Sequence, residues 1–145
     1  MPKKANSRPI VLPWRRIFLL WLFLIIVVTS FPWVVCPPQW GRIRWIPLLH
    51  SPLRRGADAI VNFFLYLPLG FSYVRIRSST TIKSMLEAGL LGLLLAGSCE
   101  LYQVFSPVRF PTMTDVLTNT LGALGGASIA RLIAVNQDRA LRGGG

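Results

Sequence analysis

The sequence is divided into long apolar blocks with basic residues at their ends. The segment Ile17 to Val35 has nineteen residues and no charge. As an α-helix it would extend about 28 Å, close to the ~30 Å hydrocarbon core of a bilayer. Three further apolar blocks follow, at residues 59–74, 86–105 and 116–135. Because helices satisfy their own backbone hydrogen bonds in lipid, the pattern predicts an all-α, polytopic membrane protein.

Composition supports this class and argues against nucleic-acid binding. Hydrophobic residues make up 52% of the chain and charged residues only 14%, whereas a soluble domain carries about 25% charge. The net charge of +11 would suit a nucleic-acid-binding protein. The Lys and Arg residues, however, lie at the ends of the apolar blocks, where they hold helix ends in water. The lipid bilayer is therefore the expected partner, and no nucleic acid is expected.

The predicted organisation is one compact bundle of four transmembrane helices. A basic N-terminus (1–16) precedes it and a disordered cytoplasmic tail (136–145) follows it. An interfacial connector with four prolines follows helix 1. A cleaved signal peptide is the rival interpretation of the first block, but no small-residue cleavage site follows it. The predicted helices span about residues 17–35, 58–74, 86–105 and 115–135.

The distribution of basic residues predicts the orientation. With the N-terminus inside, the inner segments hold eleven Lys and Arg residues and the outer segments hold five. Cytoplasmic segments carry the excess of positive charge. We therefore expect a multi-pass protein of the plasma (inner) membrane with both termini in the cytoplasm.

Seven polar residues near the predicted outer ends of helices 2 to 4 form the candidate binding cluster. A charge at the centre of a membrane helix costs about 2.5–3.5 kcal/mol, so such residues either satisfy each other or have a function. Small residues spaced four apart continue each polar stripe and predict helix contacts, at Gly70, Gly92, Gly122 and Gly126. The cluster itself comprises Asp58, Asn62, Glu100, Gln103, Arg109, Asp115 and Asn119.

Several alternatives for this cluster stay open. The acids could pair with arginines and stabilise helix N-termini, or three carboxylates could hold a hard cation. The sequence has no tight acidic motif, so no metal site and no cofactor are expected. Cys36 and Cys99 lie near the outer ends of helices 1 and 3, where a disulfide or two free thiols would both fit.

The motifs around the cluster resemble the VanZ-like family of small membrane proteins. They are D-x-x-x-N-x-x-x-Y-x-P-L-G from Asp58, E-x-x-Q from Glu100, Arg109, and D-V-L-T-N-T-L-G-A-x-x-G from Asp115. The resemblance covers about residues 50–135. It implies a cell-envelope membrane protein, and the family's namesake is associated with resistance to teicoplanin, a lipid-tailed glycopeptide. Antibiotic resistance is thus implied by resemblance only.

Three functions fit these residues. The first is non-enzymatic binding of an amphipathic ligand or lipid head-group at the outer leaflet, such as a lipid-linked envelope precursor or an amphipathic small molecule. The second is a small membrane enzyme acting on a lipid-linked head-group, with Glu100 or Asp115 as acid or base and Arg109 stabilising charge. The third is a structural or assembly subunit in which the cluster is interhelical glue.

Overall fold

A computed structural model describes residues 13–47, 52–77 and 81–143 of the chain. These residues form no strand, which confirms the all-α class. Three of the helices are long and apolar enough to cross a membrane. The first helix has only 17 residues, so the predicted number of four crossings stays a prediction. The helices are α1 (Trp14–Ser30), α2 (Pro52–Arg77), α3 (Ile82–Gln103) and α4 (Met113–Gly143), with a 3-10 turn at Trp40–Arg42.

The helix bounds differ from the predicted ones at several ends. The first helix ends at Ser30 rather than Val35, since Phe31 is extended before Pro32 and a residue before proline disfavours the helical conformation. α2 begins at Pro52, six residues early, because proline suits the first turn of a helix. The tail was predicted to be disordered, but α4 continues through residues 136–143. Residues 1–12 and 144–145 lie outside the described part.

Glycines bring α2, α3 and α4 into close backbone contact. A Cβ atom added at Gly122 or Gly126 of α4 would overlap a carbonyl oxygen of α2, and one at Gly70 of α2 would overlap the carbonyl of Ala123. A Cβ at Gly92 of α3 would lie 2.6 Å from the Ala123 Cβ. Helices approach this closely in lipid only where side chains are small. We call the contact between α2 and α4 the glycine seam (Gly70, Gly122, Gly126).

α1 is attached more loosely than the other helices. Ile25 is its one buried residue. Trp21 Nε1 donates a hydrogen bond of 2.6 Å to the carbonyl of Leu65, in the turn before Pro68. Because proline has no N–H, the helix turn before it has fewer backbone donors for its carbonyls. Large apolar side chains such as Leu20 and Phe23 are exposed on its other side. This surface has the composition expected of a helix facing lipid.

Two irregular segments cover one end of the bundle. We call residues 31–47 the connector and residues 104–112 the hairpin. The backbone amides of Cys36 and Arg44 donate to hairpin carbonyls at 2.7 and 2.9 Å, and the Arg44 carbonyl accepts from the Met113 amide at 3.1 Å. The described part of the connector is therefore bound to the hairpin by backbone hydrogen bonds. We call this end, where α2 and α4 begin and α3 ends, the hairpin end.

Candidate functional site

One cavity of about 430 Å³ lies between the helices at the hairpin end. Side chains from all four helices, the connector and the hairpin line it. The structure thus brings every member of the predicted cluster to one place, although their role in binding stays a prediction. The seven members that line the cavity are Asp58, Asn62, Glu100, Gln103, Arg109, Asp115 and Asn119.

The helix spacing and the glycine seam explain why these residues meet. Asn62 follows Asp58 by four residues on α2, and Asn119 follows Asp115 by four on α4. Each Asn therefore shares a helix face with its Asp and lies about 6 Å further along the axis. Because the seam holds α2 against α4, the two pairs face each other, and Asn62 interacts with the Asp115 carboxyl group.

Glu100 is the most buried carboxyl group described here. The residue is 6% exposed, and its Oε2 atom accepts a 2.7 Å hydrogen bond from the Thr112 amide. Within the described ranges the single ion pair joins Arg77 to Glu87, at the other end of α3. Glu100 is thus buried with a backbone donor but without a bound cation, which is costly for a carboxylate.

Arg109 forms no ion pair with Glu100 or Asp115 within the described ranges. Its Nε and Nη2 atoms donate to the carbonyl of Phe31 at 3.0 and 2.7 Å. The extended residue after α1 presents a free carbonyl, and the guanidinium fork bonds to it twice. Arg109 still lines the cavity, but its main contact joins the hairpin to the connector.

Two buried amides, Gln103 and Asn119, belong with Glu100 to the most buried part of the wall, which we call the deep wall. Gln103 donates through Nε2 to the Thr29 carbonyl at 3.2 Å and so joins α3 to the end of α1. Asn119 is 3% exposed, and its Oδ1 atom has no hydrogen-bond partner among the described residues. A buried polar atom without a partner costs about 1–3 kcal/mol. Asn119 also lines the cavity, so this unpaired acceptor lies close to any ligand bound there.

Sequence reasoning missed Thr112, which organises the acids. Its amide donates to Glu100, and its Oγ1 accepts a 3.0 Å hydrogen bond from the Asp115 amide at the start of α4. The signal was present, since Thr-x-x-Asp before an apolar run is a capping pattern. Thr29 and Arg44 also line the cavity. No sequence pattern placed them there, because their position depends on how the connector folds back.

Two open alternatives for the site can be compared with the structure. No three His, Cys, Asp or Glu side chains within 13–47, 52–77 and 81–143 come together as a metal site. Cys36 and Cys99 are both free thiols, so the disulfide alternative is not the one adopted. Cys99 is buried in the cavity wall.

The comparison with known families decides the classification. The sequence model of the VanZ/LLP1 family matches residues 16–134. The chain belongs to the VanZ/LLP1 family. The resemblance drawn from the motifs is thereby confirmed, and the match extends over α1, which those motifs did not reach. No curated protein and no solved structure matches the chain. Membership of this membrane-protein family and three membrane-length helices make the chain a multi-pass membrane protein.

Proposed function

We propose that this VanZ/LLP1 family protein binds the polar head-group of an amphipathic molecule in the cavity at its hairpin end. The observation that carries the proposal is the unpartnered Oδ1 of Asn119, buried in the wall of a cavity of about 430 Å³. Most of the residues that line this concave site are polar or charged, which suits the polar head-group of a ligand rather than its apolar tail. A cluster serving only as glue would be packed closed rather than arranged around a cavity.

The rim of the cavity favours a ligand with an apolar tail. Val28 of α1, Val61 of α2 and Val108 of the hairpin line the cavity and are also exposed. An acyl chain could rest on these side chains in the lipid while the head-group occupies the cavity. A fully soluble ligand would gain nothing from an apolar rim.

A second candidate is an enzyme acting on the same head-group. Glu100 and Asp115 line one cavity with Arg109, which is the composition needed for a general base and a charge-stabilising group. Chemical change in a bound lipid, followed by mass spectrometry over time, would distinguish an enzyme from a binding protein. Glycopeptide resistance rests on the family resemblance alone, and teicoplanin susceptibility of cells with and without the protein tests it.

Two variants on the same helix test the binding proposal. Val61 lines the cavity, while Phe64 does not, and both residues are 62% exposed. Val61→Trp should block the rim, whereas Phe64→Trp should leave it open. Native mass spectrometry of each protein purified in detergent should show bound lipid in the wild type and Phe64→Trp, but not in Val61→Trp. Equal occupancy in both variants, or no bound lipid in the wild type, would contradict the proposal.

The proposal also places the hairpin end at the outer leaflet of the plasma membrane. This follows from the excess of basic residues at the other end and from α1 acting as a fourth crossing, which puts both termini in the cytoplasm. Reporter fusions within residues 106–112 and at the C-terminus should report opposite sides. A cytoplasmic hairpin would move the binding site to the inner leaflet without removing the cavity.

A further inference from the structure

The cavity separates its acceptors from its cations. Glu100 and Asn119 are two of the buried polar members of the wall, beside Gln103 and Thr114, and both offer unused acceptor positions. A carboxylate has about four lone-pair sites, of which the Thr112 amide occupies one at Glu100. Asn119 Oδ1 has none of its sites used within the described part of the chain. The deep wall is therefore complementary to a ligand group that donates several hydrogen bonds.

The guanidinium groups that line the cavity belong to the connector and the hairpin and are more exposed than the deep wall. Arg44 belongs to the connector and is exposed, and its guanidinium carbon stands 5.0 Å from the centre of the Phe110 ring. Arg109 belongs to the hairpin and is half-buried. Its two bonds to Phe31 use two of five N–H donors and leave the others for a ligand. Guanidinium N–H groups match the oxygens of a phosphate.

We propose, resting on the proposed function, that the bound head-group is a phosphate bearing a terminal primary ammonium group, as in an aminoalkyl phospholipid. The ammonium occupies the deep wall, where it donates to Asn119 and Glu100. The phosphate lies at Arg44 and Arg109, and the tail leaves across the apolar rim. The order of groups along such a lipid, from tail to phosphate to ammonium, matches the order from rim to floor.

Other head-groups leave part of the cavity unmatched. Three carboxyl groups and two guanidiniums line it, at Asp58, Glu100, Asp115, Arg44 and Arg109. A purely anionic head-group would bring no cation to the buried carboxylate, whose desolvation then stays uncompensated. A trimethylammonium group carries the charge but has no N–H to donate to Asn119. An uncharged amide in place of the ammonium lacks the charge.

Lipids that differ only in the head-group test the proposal. Phosphatidylethanolamine, phosphatidylcholine, phosphatidylglycerol and N-acetyl phosphatidylethanolamine with identical acyl chains are titrated against the wild-type protein in detergent, with native mass spectrometry as readout. We expect phosphatidylethanolamine to bind at least about tenfold more tightly than the other three. Soluble glycerophosphoethanolamine, titrated as competitor, should displace it poorly because it lacks the tail.

Two matched variants test whether Glu100 causes the preference for phosphatidylethanolamine. Glu100→Gln should reduce the preference for phosphatidylethanolamine over phosphatidylglycerol, whereas Glu87→Gln, a control at the other end of α3, should keep it. The wild-type ranking alone decides the proposal if Glu100→Gln does not fold. Equal binding of all four lipids, or tighter phosphatidylglycerol binding, would overturn the head-group assignment while leaving the binding site. Binding of no lipid, or equal binding of the soluble compound, would instead overturn the proposed function.

Discussion

Two glutamates on α3 are held in opposite ways at the two ends of the bundle. Glu87 lies at the end where basic residues collect, and its Oε2 forms a 3.1 Å ion pair with Arg77. The Tyr73 hydroxyl donates to the same oxygen at 3.1 Å. Glu100 lies at the hairpin end, is far more buried, and accepts from the Thr112 amide. The more exposed acid thus has the cation, and the buried acid does not.

Stability alone would give the reverse arrangement. A buried carboxylate is the group that most needs a paired charge, whereas a partly exposed pair contributes only about 0–1 kcal/mol. The end with Glu87 is satisfied by its own residues and behaves as structure. The end with Glu100 keeps a cavity and an unpartnered Asn119. Sites that violate a stability rule in a folded protein are commonly functional ones.

The largest expected effect comes from breaking the glycine seam, on which both ends depend. Gly126→Ala would drive a Cβ into the carbonyl of Leu67. Overpacking of this kind costs about 1–3 kcal/mol. Gly97 has no neighbouring atom within 4 Å of an added Cβ, so Gly97→Ala is the control. Melting in detergent should fall for Gly126→Ala and stay or rise for Gly97→Ala. Equal melting of the two would show that the seam is not tightly packed.

The second prediction compares the same substitution at the two glutamates. Glu100→Gln removes a buried ionisable group but keeps an acceptor for the Thr112 amide, so stability should hold or rise while lipid binding falls about tenfold. Glu87→Gln should lose up to about 1 kcal/mol of stability with its half-exposed ion pair and keep lipid binding. Melting and lipid titration on both proteins check this. If binding follows melting in both variants, the cluster at the hairpin end is glue.

The helix-borne part of the site was predictable from the sequence because helix geometry relates spacing to direction. Residues four apart share a face, and small residues mark the face that packs. These two rules alone predict that Asp58, Asn62, Asp115 and Asn119 lie at one level. The glycines of the seam were found in the same way. Family membership followed from the same motifs.

The irregular part of the site was not predictable. The direction of Arg109 depends on the hairpin, and its partner is a carbonyl freed where α1 ends. That end was itself misplaced by five residues. No periodicity encodes where the connector folds back, so Thr29 and Arg44 could not be assigned to the site. The last turns of α4 were missed because polar, weakly periodic sequence was interpreted as disorder.

Thr112 gives a smaller effect at the hairpin end. Thr112→Val removes the oxygen that accepts from the Asp115 amide but keeps the backbone donor to Glu100. Loss of a helix cap costs about 0.5–2 kcal/mol. Thr120→Val is the control, since that hydroxyl bonds to the Val116 carbonyl within the helix and contributes little. Melting should fall only for Thr112→Val, and an equal fall in both would show that the cap is not stabilising.

The smallest effect concerns the contact between Arg109 and the connector. Arg109 donates twice to the Phe31 carbonyl, whereas Arg42 donates once, through Nη1, to the Pro107 carbonyl at 2.7 Å. Lysine can reproduce a single donor but not the guanidinium fork. Arg109→Lys should therefore cost about 1 kcal/mol of stability, one net hydrogen bond, and weaken lipid binding less than tenfold.

Arg42→Lys should change neither melting nor lipid binding, because its single hydrogen bond can be kept. The two substitutions make the same chemical change, one in the hairpin and one in the connector. Any general effect of replacing arginine by lysine is therefore the same in both variants. If Arg109→Lys abolishes binding while melting is unchanged, the guanidinium contacts the ligand more than it holds the connector. If both variants lose stability equally, the double bond to Phe31 has no special role, and the hairpin end is closed by the backbone bonds between connector and hairpin.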